Sequence, residues 1–157
     1  MNAPMKFRAW PIKLEDPTEI LGCMHCAALA ARVGVVEENA LVRMFRWWNE
    51  AYLADAFTPE AFSDHFTDDA VLLVNGEVRA RGVDALAAHF QAIQAATQDV
   101  RIELPVDESF VSGENIFGHY RCRAVSADIT ITEEVMASVK TRNGRITFFN
   151  ALSRTID

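Results

Sequence analysis

Glu133 has the most chemistry to offer, because of the residues around it. In the run ITITEEVMASVKT, strand alternation places Ile129, Ile131, Glu133, Val135, Ala137 and Val139 on one face, so a carboxylate interrupts an apolar row. Apolar surroundings disfavour the charged form of a carboxylate and suit it to accept and return a proton near neutrality. An isomerase, cyclase or dehydratase working beside a carbonyl needs such a group. In the preceding run, Ile116, Gly118, Tyr120, Cys122 and Ala124 share one face, and Phe117, His119, Arg121 and Arg123 share the other. A hairpin turning at Ser126-Ala127 sets Tyr120 directly opposite Glu133, where its hydroxyl can hold a substrate oxygen. The last strand adds Phe149, Ala151 and Ser153 to that side and leaves Ile146 and Phe148 on the outer face with Phe117. Two plainer readings compete: Glu133 solvated at a pocket mouth or paired with an arginine, and Tyr120 as a core ring with its hydroxyl on a backbone partner.

Other groups offer less. Cys23-Met24-His25-Cys26 brings two thiols and an imidazole together, but lacks the second ligand pair of a zinc site and the strand-to-helix setting of a redox pair. It reads as small buried residues on a helix. His25 and His89 stand on helices without partners at metal spacing, so neither a metal nor another cofactor is expected. His65, following Asp64, either reaches a pocket mouth beside Trp48 or stays at the surface. His119, with Arg121, Arg123 and Glu134, reads as the outward face of a sheet, where cross-strand pairs contribute up to about 1 kcal/mol.

The chain as a whole bounds these readings. Its 157 residues, 50% of them hydrophobic, can bury one substantial core. A net charge of -7 with no basic stripe leaves nucleic-acid binding without an electrostatic footprint, so partners should be small molecules or proteins. The apolar tract from Ile20 to Val36 is interrupted by His25 and Arg32 and falls short of a membrane span. The opening segment, broken by Pro4, Pro11 and Pro17, lacks the apolar stretch of a secretion signal. Three cysteines cannot all pair within one chain, and free thiols suit a cytoplasmic location.

Several elements must position these groups. Residues Met1 to Asp16 read as irregular and Thr18 to about Val33 as a helix; a second helix from about Glu37 to Asp55 carries Leu41, Met44, Phe45, Trp48 and Tyr52 on one face. Thr58-Pro59-Glu60 starts a short helix to Phe66 that buries Phe62 and Phe66. Asn75-Gly76 supplies the two positive φ angles of a type I′ turn between strands Ala70 to Val74 and Glu77 to Arg81. Alternation puts Leu72, Val74, Val78 and Ala80 inward and Glu77, Arg79 and Arg81 outward. A helix follows from Val83 to about Thr97, with Leu86, Phe90 and Ile93 at helical spacing on the side that packs back onto the sheet. Four long strands close the chain: Val100 to Val111, with Pro105 at an edge or bulge, then Ile116 to Val125, Ile129 to Thr141 and Arg145 to Arg154. This is an α+β domain with a strongly curved sheet wrapped around helices.

The order and spacing of FRWWNEAY, DHFTDDAVLLVNGEVRARG, GVDALAAHFQAI and TRNGRITFFNALSR resemble the nuclear transport factor 2-like superfamily, in its SnoaL-like and ketosteroid-isomerase-like branch. The resemblance implies a cone-shaped α+β roll of the cystatin-like kind, with a mixed or antiparallel sheet enclosing one apolar pocket, and a homodimer joined through the sheets. On this reading residues 1–36 form an N-terminal extension and 37–157 a single SnoaL-like domain. The pocket wall is then expected to include Trp48, Tyr52, Phe62, Leu72, Val74, Cys122, Val135, Ala137, Phe149, Ala151 and Ser153, with Glu133 and Tyr120 as the catalytic pair. The family's own catalytic residues do not carry over. The ketosteroid-isomerase base falls at Val74 and its oxyanion-hole Asp near Ala137, while the epoxide-hydrolase Arg and Asp pair falls near Arg121 and Arg123, with Asn150 or Ala151 at its other Asp. What remains is a cofactor-independent proton-transfer enzyme acting on a small apolar carbonyl or polyketide-like compound, or a non-catalytic ligand-binding or association module.

Overall fold

In a computed structural model of the protein, which describes residues 38–127 and 129–156, helix α1 (Ala40–Leu53) opens the fold. It starts at Ala40 because the side chain of the extended residue Asn39 accepts hydrogen bonds from the backbone N–H groups of Leu41 (3.0 Å) and Val42 (3.2 Å). That cap sets the start three residues after Glu37, where periodicity alone placed it. Helix α2 (Pro59–Ser63) is capped by Thr58 as expected, but Phe66 belongs to strand β1 (Phe66–Val74) and not to a last helical turn. The Asn75-Gly76 turn, at φ 52° and 82°, leads to β2 (Glu77–Arg81), and helix α3 (Val83–Ala96) follows. The extension 1–36, with its helix from Thr18 and the Cys23 to Cys26 cluster, lies outside the described residues.

The run from Val100 to Val111 is two strands, β3 (Asp99–Ile102) and β4 (Glu108–Ser112). Pro105 stands in the break, where it has no N–H to give a ladder. Both pieces pair with β5 (Asn115–Ser126), which continues through β6 (Ile129–Arg142) into β7 (Arg145–Thr155). The long meander therefore has three strands, with β3 and β4 sharing its edge. One curved, unclosed, seven-stranded sheet results, in the order β2-β1-β7-β6-β5-β3; it is mixed, because β1 runs parallel to β7 while the other pairs are antiparallel.

The inner face of this sheet holds the core together with α1 and the aromatic rings of α2 and α3. Leu41, Val139 and Ile146 are completely buried, and Phe45 lies 4.4 Å from the Tyr120 ring. Helix α1 sits so close to β5 that a Cβ on Gly118 would come within 2.5 Å of Leu41 Cδ2. Phe57, Phe62 and Phe90 pack around Trp48 and Trp47 between the three helices.

Two register shifts overturn the alternation read from sequence. Opposite Leu72 and Leu73, which pair with Ala80 and Val78, strand β2 carries the extra residue Arg79. Val78, expected inward, is thereby turned out and 48% exposed. Opposite Lys140 and Thr141, which pair with Phe148 and Ile146, strand β7 carries the extra residue Thr147, and Ile146 turns from the outer face into the core.

Candidate functional site

A cavity of about 360 Å³ lies between the inner sheet face and the helices. Helix α1 lines it with Met44, Phe45 and Trp48, and helix α3 with His89, Phe90 and Ile93. The sheet contributes Leu72 and Val74, Val100 and Ile102, then Tyr120, Cys122 and Ala124, Glu133 and Val135, and Phe149, Ala151 and Ser153. The walls are held by backbone-directed clamps. Asn49 of α1 bonds both the N–H and the C=O of Ile102, each at 2.9 Å, acting as a strand neighbour to β3. Gln91 donates to Phe57 O (2.6 Å), Gln94 to Tyr52 O, and the Tyr52 hydroxyl meets Thr97 Oγ1 at 3.0 Å, fixing α3 against α1.

Polar groups are few and sit apart from one another. The β5–β6 hairpin closes on the Ser126 and Ile129 pair, so Tyr120 faces Val135, and Glu133 faces Cys122. Tyr120 and Glu133 are therefore diagonal neighbours on one face, not the directly opposed pair that a turn at Ser126-Ala127 implied; a shift of two residues preserves the face and changes the partner. Among the described residues neither the Glu133 carboxylate nor the Tyr120 hydroxyl has a hydrogen-bond or ion-pair partner. No fully buried side-chain N or O among those residues lacks one, so both groups reach open cavity space. Ser153 is used locally: its Oγ accepts from Asn75 Nδ2 at 3.2 Å and its N–H donates to Asn75 Oδ1 at 2.9 Å.

Burial sets the protonation of the neighbours. It raises the Tyr120 hydroxyl well above its ordinary range, with Cys122 and the Glu133 charge adding to the effect. The Cys122 thiol is pushed up to about 12 by burial first, then by Glu133 and Glu103. Both stay protonated at neutral pH and can donate hydrogen bonds, and the thiol is no nucleophile. His89 is pushed below its usual value by burial and then by the charge of Arg79, which keeps its imidazole neutral at pH 7.

Trp48, Leu72, Val74, Tyr120, Cys122, Glu133, Val135, Phe149, Ala151 and Ser153 are all on the cavity wall. Three residues expected there are not. Tyr52 turns its hydroxyl to Thr97, Phe62 is completely buried among the rings of Trp47, Phe57 and Phe90, and Ala137 is covered in the core. Ile131, expected to shield Glu133, is 39% exposed, so Glu133 stands at the edge of the apolar row, half-buried. His65 stacks on Trp47 with ring centroids 4.5 Å apart and does not line the cavity. Arg121 is on the outer face, bonded to Asp107 at 2.8 Å. Sequence reasoning missed Arg79 and His89. Arg79 was hidden by the bulge, but His89 had a signal, since it lies three residues after Leu86 and four before Ile93, on a stripe already assigned inward. No three His, Cys, Asp or Glu side chains among the described residues are grouped so as to hold a metal ion, and no described helix is long and apolar enough to cross a membrane.

Solved structures share this architecture. An NTF2-like protein from Exiguobacterium sp. 255-15 is 19% identical with a TM-score of 0.60, over 74% of this chain and 98% of that one. A putative SnoaL-like polyketide cyclase from Jannaschia sp. CCS1 is 10% identical, TM-score 0.59, over 73% and 82%. A LEH-like epoxide hydrolase from M. tuberculosis is 17% identical, TM-score 0.57, over 73% and 83%. At these identities the likeness shows the cone-shaped α+β fold. No curated protein matches the chain. Residues 39–149 match the SnoaL-like domain, and the chain belongs to that family.

Proposed function

We propose that the cavity binds a small, largely apolar carbonyl compound of polyketide-like character and moves a proton on it without a cofactor. Glu133 carries the reading: it is the one carboxylate among the described cavity-lining residues, on an apolar wall, with no described partner. Its carboxylate takes a proton from the carbon next to the carbonyl, the electron pair moves onto the carbonyl oxygen, and the Tyr120 hydroxyl donates a hydrogen bond to that oxygen. Glu133 then returns the proton to the same or a conjugated carbon. By the resemblance, the ketosteroid-isomerase carboxylates would fall at Val74 and near Ala137, so Glu133 is the one carboxylate left on the described cavity wall to move the proton. That absence also favours a second reading, a binding module without chemistry.

The test is deuterium exchange at the α-carbon of 2-tetralone in D2O, followed by NMR with the full chain. Exchange above the buffer rate that disappears in Glu133→Gln is the expected result. Exchange equal in the two proteins would sink the proton-transfer role, and saturable binding without exchange would leave the binding module. We also propose that the outer sheet face joins two copies of the chain, because Phe110 stacks on Phe117 (5.0 Å) and Met136 faces Leu152 with both about half exposed, at 50% and 57%.

A further inference from the structure

We propose that Arg79 and His89 form a second polar pole of the cavity, one that selects apolar ligands bearing a carboxylate at the end remote from Glu133. The inference rests on the cavity being a small-molecule site and names the class of compound it takes. Arg79 should point away from the core by alternation, and it lines the cavity because the bulge opposite Leu72 and Leu73 inserts it as an extra residue. Bulges commonly re-aim a single side chain beside a site in this way. Arg79 is the one arginine or lysine among the described lining residues, and its planar guanidinium matches a carboxylate bidentately.

Its position relative to Glu133 gives the ligand a direction. Arg79 is on β2 and Glu133 on β6, with β1 and β7 between them in the sheet. Three inter-strand spacings of about 4.8 Å separate the two across the sheet, and Arg79 stands level with Phe149 and Asn150 of β7 while Glu133 pairs with Thr155, which sets them further apart along the strands. An anionic group at the Glu133 end would meet like charge, whereas at the Arg79 end it meets the guanidinium. His89, on the adjoining helix, is held neutral by its burial and by Arg79, so it adds a hydrogen-bonding N–H there without a second charge. In the structure Arg79 pairs with Glu77 at 3.0 Å, but the side chains are 44% and 69% exposed. Such a pair contributes little and yields readily to a ligand carboxylate in a less solvated place. Between the poles the wall is Trp48, Leu72, Phe90 and Phe149, suited to a flat apolar body.

The test compares 2-naphthoate with its neutral counterpart 2-naphthamide, titrated calorimetrically against the full chain at pH 7. Wild type should bind the acid about tenfold tighter than the amide. Arg79→Gln should bring the two within about twofold by weakening the acid alone, and Arg79→Lys should keep part of the preference. Circular dichroism checks that each variant is folded like its parent. Equal binding of acid and amide by wild type, or an unchanged preference in Arg79→Gln, overturns the anion pole and leaves the cavity reading intact. Failure of both probes to bind overturns both.

Discussion

On the outer face of the sheet, Glu134 has His119 Nε2 at 3.0 Å and accepts from Arg154 Nε at 2.6 Å; one residue earlier, Glu133 faces the cavity with no described partner. The two carboxylates share a strand, a backbone geometry and a sequence neighbourhood, and differ only in which way the pleat turns them. Glu134 is held below the usual carboxylate range by its bonds to Arg154 and His119, so its proton-accepting capacity is spent on structure. Glu133 has no described partner, and its charge is felt by Tyr120 and Cys122 as a push toward their protonated forms. The contrast teaches that on this fold a carboxylate is a functional candidate through what it lacks. Charge partners on the outside make a sheet surface, and their absence on the inside leaves a site.

The widest gap between the two faces should appear on truncation. Phe45, 1% exposed and in contact with the rings of Tyr120 and Phe149, should cost about 3–5 kcal/mol as Phe45→Ala, because the cavity it already borders leaves the site little to collapse onto. Leu152→Glu on the outer face should change monomer stability by under about 0.5 kcal/mol while abolishing the proposed dimer. Chemical denaturation and light scattering separate the two effects. If Leu152→Glu left the mass unchanged, the exposed apolar row would be surface and not an interface.

How far the sequence could be read follows the same division. Away from bulges, alternation assigned both faces of β5 and β6 correctly, because a period of two admits no ambiguity when one side is apolar. Across bulges it failed in both directions, hiding Arg79 from the cavity and placing Ile146 outside the core. One extra residue inverts parity, and nothing in EVRAR or RITFF announces it. The hairpin register was misread by two residues, since Ser126-Ala127-Asp128 offers more than one turn, and Glu133 gained Cys122 as its neighbour in place of Tyr120. Helix faces were the harder problem. Tyr52 and Phe62 share the apolar stripe of their helices, yet the stripe is wider than the cavity, and which part of it meets empty space depends on tertiary packing.

A smaller difference concerns Tyr120. With no described partner for its hydroxyl, Tyr120→Phe should leave stability at pH 7 within about 0.5 kcal/mol of wild type while weakening any ligand held through an oxygen. The pH dependence gives the sign. Burial raises Tyr120 in the folded state above its unfolded value near 10, so the fold favours the protonated phenol. Its contribution is fully present below about pH 10 and is lost as pH rises further and the unfolded chain ionises. Tyr120→Phe should therefore flatten the alkaline fall in thermal midpoint between about pH 10 and 11. A fall as steep as that of wild type would mean that the hydroxyl is not desolvated in the folded protein.

The smallest effect belongs to Glu134, and it runs the opposite way along the pH axis. Because its folded-state value is depressed by Arg154 and His119, the ionised carboxylate stabilises the fold at pH values above its unfolded value near 4.3. That contribution is lost as pH falls below it and the carboxylate is protonated in the folded state as well. Glu134→Gln should lower the thermal midpoint slightly at pH 7, and the gap from wild type should close in acid. Salt should narrow it too, since Arg154 is 74% exposed. His119→Gln makes the assignment sharper, because it removes one partner and keeps Arg154, so its effect should be smaller than that of Glu134→Gln. If Glu134→Gln instead abolished the 2-tetralone exchange that Glu133→Gln is expected to remove, the functional carboxylate would be on the outer face, and the comparison between the neighbours would be reversed.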